Sequence, residues 1–116
     1  MNIKSAIAAV IAIAETLNWS VTQQDTVLEF ETYTNYGQDC LMYIDIGNFD
    51  EMCDRVYNAY SDFDVSEETY HWLDNTGHGT NGAPYEMIDV YHDMEEYQDK
   101  ILELWRALYE RREENA

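Results

Sequence analysis

Carboxylates at regular spacing are the residues of this chain best suited to chemistry. Asp89, Asp93 and Glu96 recur at the interval of one helical turn, which would set neighbours about 5–6 Å apart on one helix face. Adjacent phosphates along a nucleic-acid strand are also several Å apart. The spacing therefore predicts a surface that imitates nucleic acid and meets the Arg and Lys side chains of a partner protein.

The negative charge of the chain is confined to one stretch. Between Asp25 and Asp99 there are 19 acids and one base, Arg55, which accounts for the whole formal charge of −18 because the flanking segments cancel. A folded body with this field repels nucleic acid and anionic membranes and attracts basic grooves. Since self-repulsion also destabilises the fold, we favour an interaction surface over a merely solvated one, and we expect added salt to stabilise the protein.

Other acids extend this predicted surface onto neighbouring elements. Tyr33 and Tyr43 are interleaved with them and could stack on arginine guanidinium groups. The predicted partner-binding residues are Glu29, Glu31, Asp45, Asp50, Glu51, Asp54, Asp89, Asp93 and Glu96.

Metal and cofactor patterns are weak in this chain. His71, His78 and His92 include no i, i+4 pair on one helix and have no cysteine close by in sequence, so we expect no zinc site and no cofactor. The glycine-rich segment 74–82 lacks the alternating acids of an EF-hand and the Lys-Ser/Thr of a P-loop.

Catalysis is not the favoured interpretation. Cys40 and Cys53 fall on predicted core faces, which suits a reduced cytosolic protein better than a nucleophile or a disulfide. With 24 acids, pairs of carboxylates arise by abundance alone, so a hydrolase that uses such a pair is only a third hypothesis.

Hydrophobic periodicity predicts one acidic α+β domain over residues 1–116, in the order αβββααα. An alanine-rich core helix, favoured over a secretory signal, is expected over Asn2–Leu17, with Ile3 among its apolar positions. A small three-stranded antiparallel sheet follows, with strands at Trp19–Gln23, Thr26–Thr34 and Gln38–Ile46.

The remaining chain predicts three helices packed with the N-terminal helix and the sheet. Asn48 is expected to cap the first of these helices, and the buried stripe of that helix includes Tyr57. Asp64 is expected to cap the second helix, which is short. A loop over Asn75–Ala83 then leads to Pro84 in the first turn of a long final helix. No stretch approaches the roughly 20 apolar residues of a membrane span.

The final helix carries a broad apolar stripe from Met87 to Leu108. It could dock onto the rest of the domain or pair with a second copy, with Gln98 setting the register. A self-associating structural or regulatory subunit of a mobile element is therefore the alternative hypothesis.

The element order and the charge resemble those of small anti-CRISPR proteins of phages and mobile elements. Some of these act as DNA mimics that occupy the DNA-binding groove of an RNA-guided nuclease. The resemblance implies a cytoplasmic, non-catalytic inhibitor of a type II nuclease in a bacterial host cell.

The C-terminal half is similar to uncharacterised small acidic proteins of gut bacterial mobile elements. The residues that carry this similarity are Phe63-Asp64-Val65-Ser66-Glu67-Glu68, Trp72-Leu73 and Gly79 to Gly82-Ala83-Pro84. It brings no catalytic residues with it.

Overall fold

The computed structural model describes residues 1–76 and 86–114, with side chains for all of these except 74–76. The predicted glycine turns from Gly77 onward and the predicted helix start at Pro84 lie outside the described residues. The predicted α+β order is confirmed. The elements are α1 (Ile3–Thr16), β1 (Ser20–Gln24), β2 (Val27–Tyr33), β3 (Asp39–Asp45), α2 (Phe49–Asp62), α3 (Val65–Thr76) and α4 (Met87–Glu114).

The three strands form an antiparallel sheet with β2 in the centre. Side chains alternate between its two faces, and Leu28, Phe30, Met42 and Ile44 are buried on the inner one. The turn between β2 and β3 closes at Gly37, whose φ of +81° lies in the left-handed region that glycine adopts without strain. The amphipathic patterns of β2 and β3 thus fix which of their residues reach the outer face.

The inner face of the sheet packs on helices that share one hydrophobic core. Ala6, Val10 and Ala14 of α1 are fully buried there, as predicted for a core helix. Ile101 and Leu104 of α4 join the same core, so much of its apolar stripe is used within the chain.

Gln98 also makes a contact inside the chain. Its Nε2 donates to the carbonyl oxygen of Phe63 at 3.0 Å and so ties α4 to the segment between α2 and α3. A smaller core of Leu73, Val90 and Met94 holds α3 against the N-terminal half of α4.

Three apolar residues predicted to be buried lie at the surface instead. Tyr57 is 43% exposed, Met87 45% and Ile3 48%. Tyr57 lies on the border of the apolar stripe of α2, whereas Ile3 and Met87 are the first residues of α1 and α4. Periodicity does not show how far the neighbouring element extends over a stripe border or a helix end. The helix α3 also continues through Thr76, past the predicted loop start at Asn75. None of the described helices is both long and apolar enough to cross a bilayer.

Candidate protein-interaction surface

The outer face of the sheet gathers acids and tyrosines into one patch. We define the sheet acidic face as the outward side chains Glu29, Glu31, Tyr33, Asp39, Tyr43 and Asp45. The strand register pairs Glu29 with Tyr43 and Tyr33 with Asp39. Directly paired residues across antiparallel strands have Cβ atoms about 4.5–5.5 Å apart, so these side chains are neighbours. The period-2 pattern of the strands therefore brings together three predicted partner-binding residues, Glu29, Glu31 and Asp45.

Polar contacts hold the centre of the sheet acidic face in place. The Tyr43 hydroxyl donates to Glu29 Oε1 at 3.3 Å, and Gln24 Nε2 donates to Glu29 Oε2 at 2.8 Å. Both tyrosine rings stand in solvent, Tyr33 at 56% exposed and Tyr43 at 59%. An exposed ring beside a carboxylate offers a guanidinium group both a stacking surface and a hydrogen-bond acceptor.

Mutual repulsion perturbs the titration of this face. The pKa of Glu31 is raised by a hydrogen bond with Asp39, by partial burial and by the charges of Asp39 and Glu29. The pKa of Tyr33 is raised chiefly by the charge of Glu31, and the pKa of Tyr43 chiefly by that of Glu29. These directions show that the face disfavours its own negative charge, which a bound cation would relieve.

Two predicted acids of α4 adjoin the sheet acidic face at the β2–β3 turn. Glu96 Oε2 accepts a hydrogen bond from the backbone N–H of Asn35 at 3.1 Å. The charge of Asp89 is the largest of the influences that raise the pKa of Tyr36 in this turn. Asp89 and Glu96 therefore extend the negative surface from the sheet onto the N-terminal half of α4.

Asp93 is not part of that surface, and the prediction that it is exposed is wrong. It is 2% exposed because the β2–β3 turn covers it, and its Oδ2 accepts from the Thr34 hydroxyl at 2.7 Å. Burial raises the pKa of Asp93, and the Thr34 hydrogen bond opposes that shift. Its role is to dock the turn onto α4, out of reach of a partner.

The predicted acids at the start of α2 are exposed but paired with arginines. Arg112 Nη1 contacts Asp54 Oδ1 at 2.9 Å, and Arg112 Nε contacts Asp50 Oδ1 at 3.3 Å. Glu51 faces Arg55 at 3.7 Å. Two cations therefore offset much of the charge of three carboxylates, and this part of the surface is less negative than the sequence indicates.

A groove connects the sheet acidic face with α2. It has a volume of about 300 Å³ and runs between the outer edge of β3 and the exposed side of the helix. Tyr43, Asp45 and Asp62 line it, and Arg55 Nη1 donates to the Asp45 carbonyl oxygen at 3.0 Å along its wall. The acids of the sheet and of α2 thus belong to one continuous surface.

Two features of this surface were missed in the sequence. Asp39 lies at a strand end and contributes to the raised pKa of Glu31, to which the hairpin register makes it a diagonal neighbour. Arg112 lies 58 residues from Asp54, so only the packing of α4 on α2 brings them together. The exposed position of Asp39 in the alternating β3 pattern could have identified the first, whereas no sequence signal indicates the second.

The described residues offer little for metal or thiol chemistry. No group of three or more His, Cys, Asp or Glu residues among them is placed to hold a metal ion. Burial raises the pKa of Cys40 to about 12 and also raises that of Cys53, so both thiols are held in the unreactive protonated form.

Comparisons with protein-family models, with curated proteins and with solved structures give no match for this chain.

Proposed function

We propose that this protein is a non-catalytic inhibitor that covers the basic nucleic-acid-binding groove of a partner protein. Its sheet acidic face takes the place of a phosphate backbone, and the partner's Arg and Lys side chains bind its carboxylates. Arginine would form paired hydrogen bonds with single carboxylates and stack on Tyr33 and Tyr43. DNA or RNA is then excluded because the same cations cannot serve both.

The observation that carries the proposal is the unbalanced charge of the sheet acidic face. Its four carboxylates surround two exposed tyrosines, and each ion pair that joins an arginine to a carboxylate among the described residues lies instead on α2. The raised pKa of Glu31 supports the same view, because it reflects acids crowded against each other. Binding of a basic partner relieves this repulsion, so the complex is favoured over the free proteins.

The kinetics of such binding follow from its electrostatics. A charge of −18 steers a basic partner toward the complex, so association is fast and slows steeply as salt rises. Asp89 and Glu96 extend the contact at the turn, while the paired acids of α2 contribute less.

The most specific form of the proposal is an anti-CRISPR protein that acts in the cytoplasm of a bacterial host on a type II RNA-guided nuclease. Such nucleases hold the heteroduplex of guide RNA and target strand in a positively charged channel, which is a groove of the required sign. No bond is made or broken, so stoichiometric binding accounts for the inhibition.

Competition for DNA tests this proposal directly. A panel of type II nucleases loaded with guide RNA is mixed with a labelled target duplex and increasing amounts of the protein at low salt. We expect displacement of the duplex and loss of cleavage for at least one nuclease, with an effect that fades as salt is raised toward about 0.5 M.

Two four-residue variants locate the surface that acts. The sheet variant combines Glu29→Gln, Glu31→Gln, Asp39→Asn and Asp45→Asn. The matched α4-end variant removes the same charge at four exposed positions, Glu103→Gln, Glu110→Gln, Glu113→Gln and Glu114→Gln. We expect the sheet variant to compete at least about tenfold more weakly and the α4-end variant to stay within about threefold of the unmodified protein. No displacement at low salt from any nuclease, or equal loss in both variants, would contradict the proposal.

A further inference from the structure

A second binding feature lies beside the paired acids of α2, where this helix packs on the C-terminal half of α4. Tyr57, Trp105 and Tyr109 form a row of rings there, with ring centroids 5.0 Å apart for Tyr57–Trp105 and 5.2 Å apart for Trp105–Tyr109. Together with Asp54 and Arg112 they line a depression of about 310 Å³. This volume accommodates a side-chain head group.

The rings are open to solvent on one side. Tyr57 and Tyr109 are 43% and 42% exposed, which is more than core packing of the two helices requires. The Tyr57 and Trp105 planes meet at 53°, and the Trp105 and Tyr109 planes at 36°, so the rings present a bent wall of π-faces. Such walls attract cations through the negative face of each ring, most strongly at tryptophan.

A carboxylate at the rim of this depression, Asp54, already binds one guanidinium group. Arg112 of the chain itself bonds Asp54 there, and both of its aspartate contacts use the Oδ1 atom. Within the described part of the chain, no hydrogen bond reaches Asp54 Oδ2. The side chain of Asp54 is 64% exposed, so this oxygen remains available to an incoming donor.

From these contacts we infer that the depression between Tyr57, Trp105, Tyr109 and Asp54 is a binding pocket for an arginine side chain of a basic partner protein. The guanidinium plane stacks on the rings and donates to Asp54, beside the resident Arg112. Arginine is favoured over lysine because its planar, weakly hydrated head group stacks and donates at the same time. The inference rests on the proposed function in that the basic partner supplies the arginine, and it adds to the sheet acidic face a second place where an arginine can bind.

A titration with small probes tests the pocket without any nuclease. The indole N–H resonances of Trp19, Trp72 and Trp105 are assigned through Trp72→Phe and Trp105→Phe variants. The protein is then titrated with N-acetyl-arginine amide and, at equal ionic strength, with N-acetyl-lysine amide. We expect the arginine probe to shift the Trp105 resonance with at least about threefold higher affinity than the lysine probe, and to leave Trp19 unmoved. Equal affinities, or no movement of Trp105, would overturn the inference.

Variants with matched controls separate this pocket from general charge attraction. Tyr109→Leu should weaken the arginine probe about three- to tenfold, whereas Tyr70→Leu, at an exposed tyrosine of α3, should not. Arg112→Met should strengthen arginine binding, because it removes the competing resident guanidinium from Asp54. Arg111→Met makes the same charge change at an exposed neighbour and should strengthen it less. If Arg112→Met and Arg111→Met act alike, the pocket is not specific.

The two proposals fail separately. If the protein binds the arginine probe at Trp105 but does not displace DNA, the arginine pocket stands and the proposed inhibition does not. Suppose instead that the Tyr109→Leu variant displaces DNA as well as the unmodified protein does, and that the arginine probe does not shift the Trp105 resonance. The proposed inhibition then stands and the arginine pocket does not.

Discussion

At the scale of single residues, Asp93 shows how burial changes the role of a carboxylate. Its spacing from Asp89 and Glu96 matches one helix face, but the β2–β3 turn covers it and leaves its neighbours at the rim. Burial without a full set of donors raises its pKa, because the charged form loses hydration that the Thr34 hydroxyl only partly replaces. A residue that would serve binding at the surface serves here to fix the turn.

This burial predicts a pH-dependent effect of Asp93→Asn. A carboxyl whose pKa is raised by folding stabilises the fold fully below its unfolded pKa, about 3.9, and loses that contribution as the pH rises through its folded pKa. Asparagine keeps an acceptor for Thr34 and carries no charge. We therefore expect Asp93→Asn to become more stable relative to the unmodified protein as the pH rises from about 4 to neutral, measured by urea unfolding at each pH.

Asp99→Asn is the control for the general relief of negative charge, since it makes the same change at an exposed position of α4. A pH-dependent gain in Asp99→Asn as large as that in Asp93→Asn would show that burial of Asp93 is not the cause.

At the scale of elements, α2 begins where its sequence dictates. Asn48 Oδ1 accepts from the backbone N–H of Glu51 at 2.8 Å, and Glu51 Oε1 accepts from the backbone N–H of Asn48 at 3.0 Å. This reciprocal pair satisfies two N–H groups at the helix start, and Asp50 and Glu51 complement the helix dipole. A local interaction of this kind is readable from the sequence because all its members lie within four residues.

We expect Asn48→Ala to lower the free energy of unfolding by about 1 kcal/mol, because the first-turn N–H groups lose their side-chain acceptor. Urea denaturation at constant pH and salt measures the change. Asn58→Ala, at an exposed position inside the same helix, should change stability by less than about 0.5 kcal/mol. Equal losses in the two variants would contradict a capping role for Asn48.

At the scale of the whole molecule, charge and packing oppose each other. The chain carries −18 in a body of 47 × 25 × 21 Å, so like charges are never far apart. At about 0.01 M salt the Debye length is about 30 Å and exceeds the two shorter dimensions, whereas at about 0.15 M it falls to about 8 Å. Most of the repulsion is therefore unscreened in dilute buffer and largely local at physiological salt.

Stability should accordingly rise with sodium chloride. We expect the urea midpoint to increase between about 0.01 M and about 0.15 M salt and to change much less beyond that. The urea midpoint of the sheet variant should increase less with salt than that of the unmodified protein, because the variant lacks four crowded charges. The salt dependence of the α4-end variant should stay closer to that of the unmodified protein, because Arg106, Arg111 and Arg112 lie near its substituted positions. A midpoint that stays constant with salt would show that the carboxylates do not repel each other measurably.

The sequence by itself determined the element order, the two faces of β2 and β3 and the concentration of charge between Asp25 and Asp99. These properties depend on alternation, helical periodicity, capping residues and composition, all of which act over a few residues or over the chain as a sum. They were sufficient to place Glu29, Glu31 and Asp45 on one exposed face.

Only the tertiary structure decided which acids remain free. Contacts between residues far apart in sequence buried Asp93 beneath Thr34, paired Asp50 and Asp54 with Arg112, and set Tyr57 against Trp105. Each of these depends on how one helix is positioned against another element, which the periodicity of a single helix does not specify. The physical reason is that a helix pattern defines a direction for each side chain, whereas exposure and charge pairing depend on what lies in that direction.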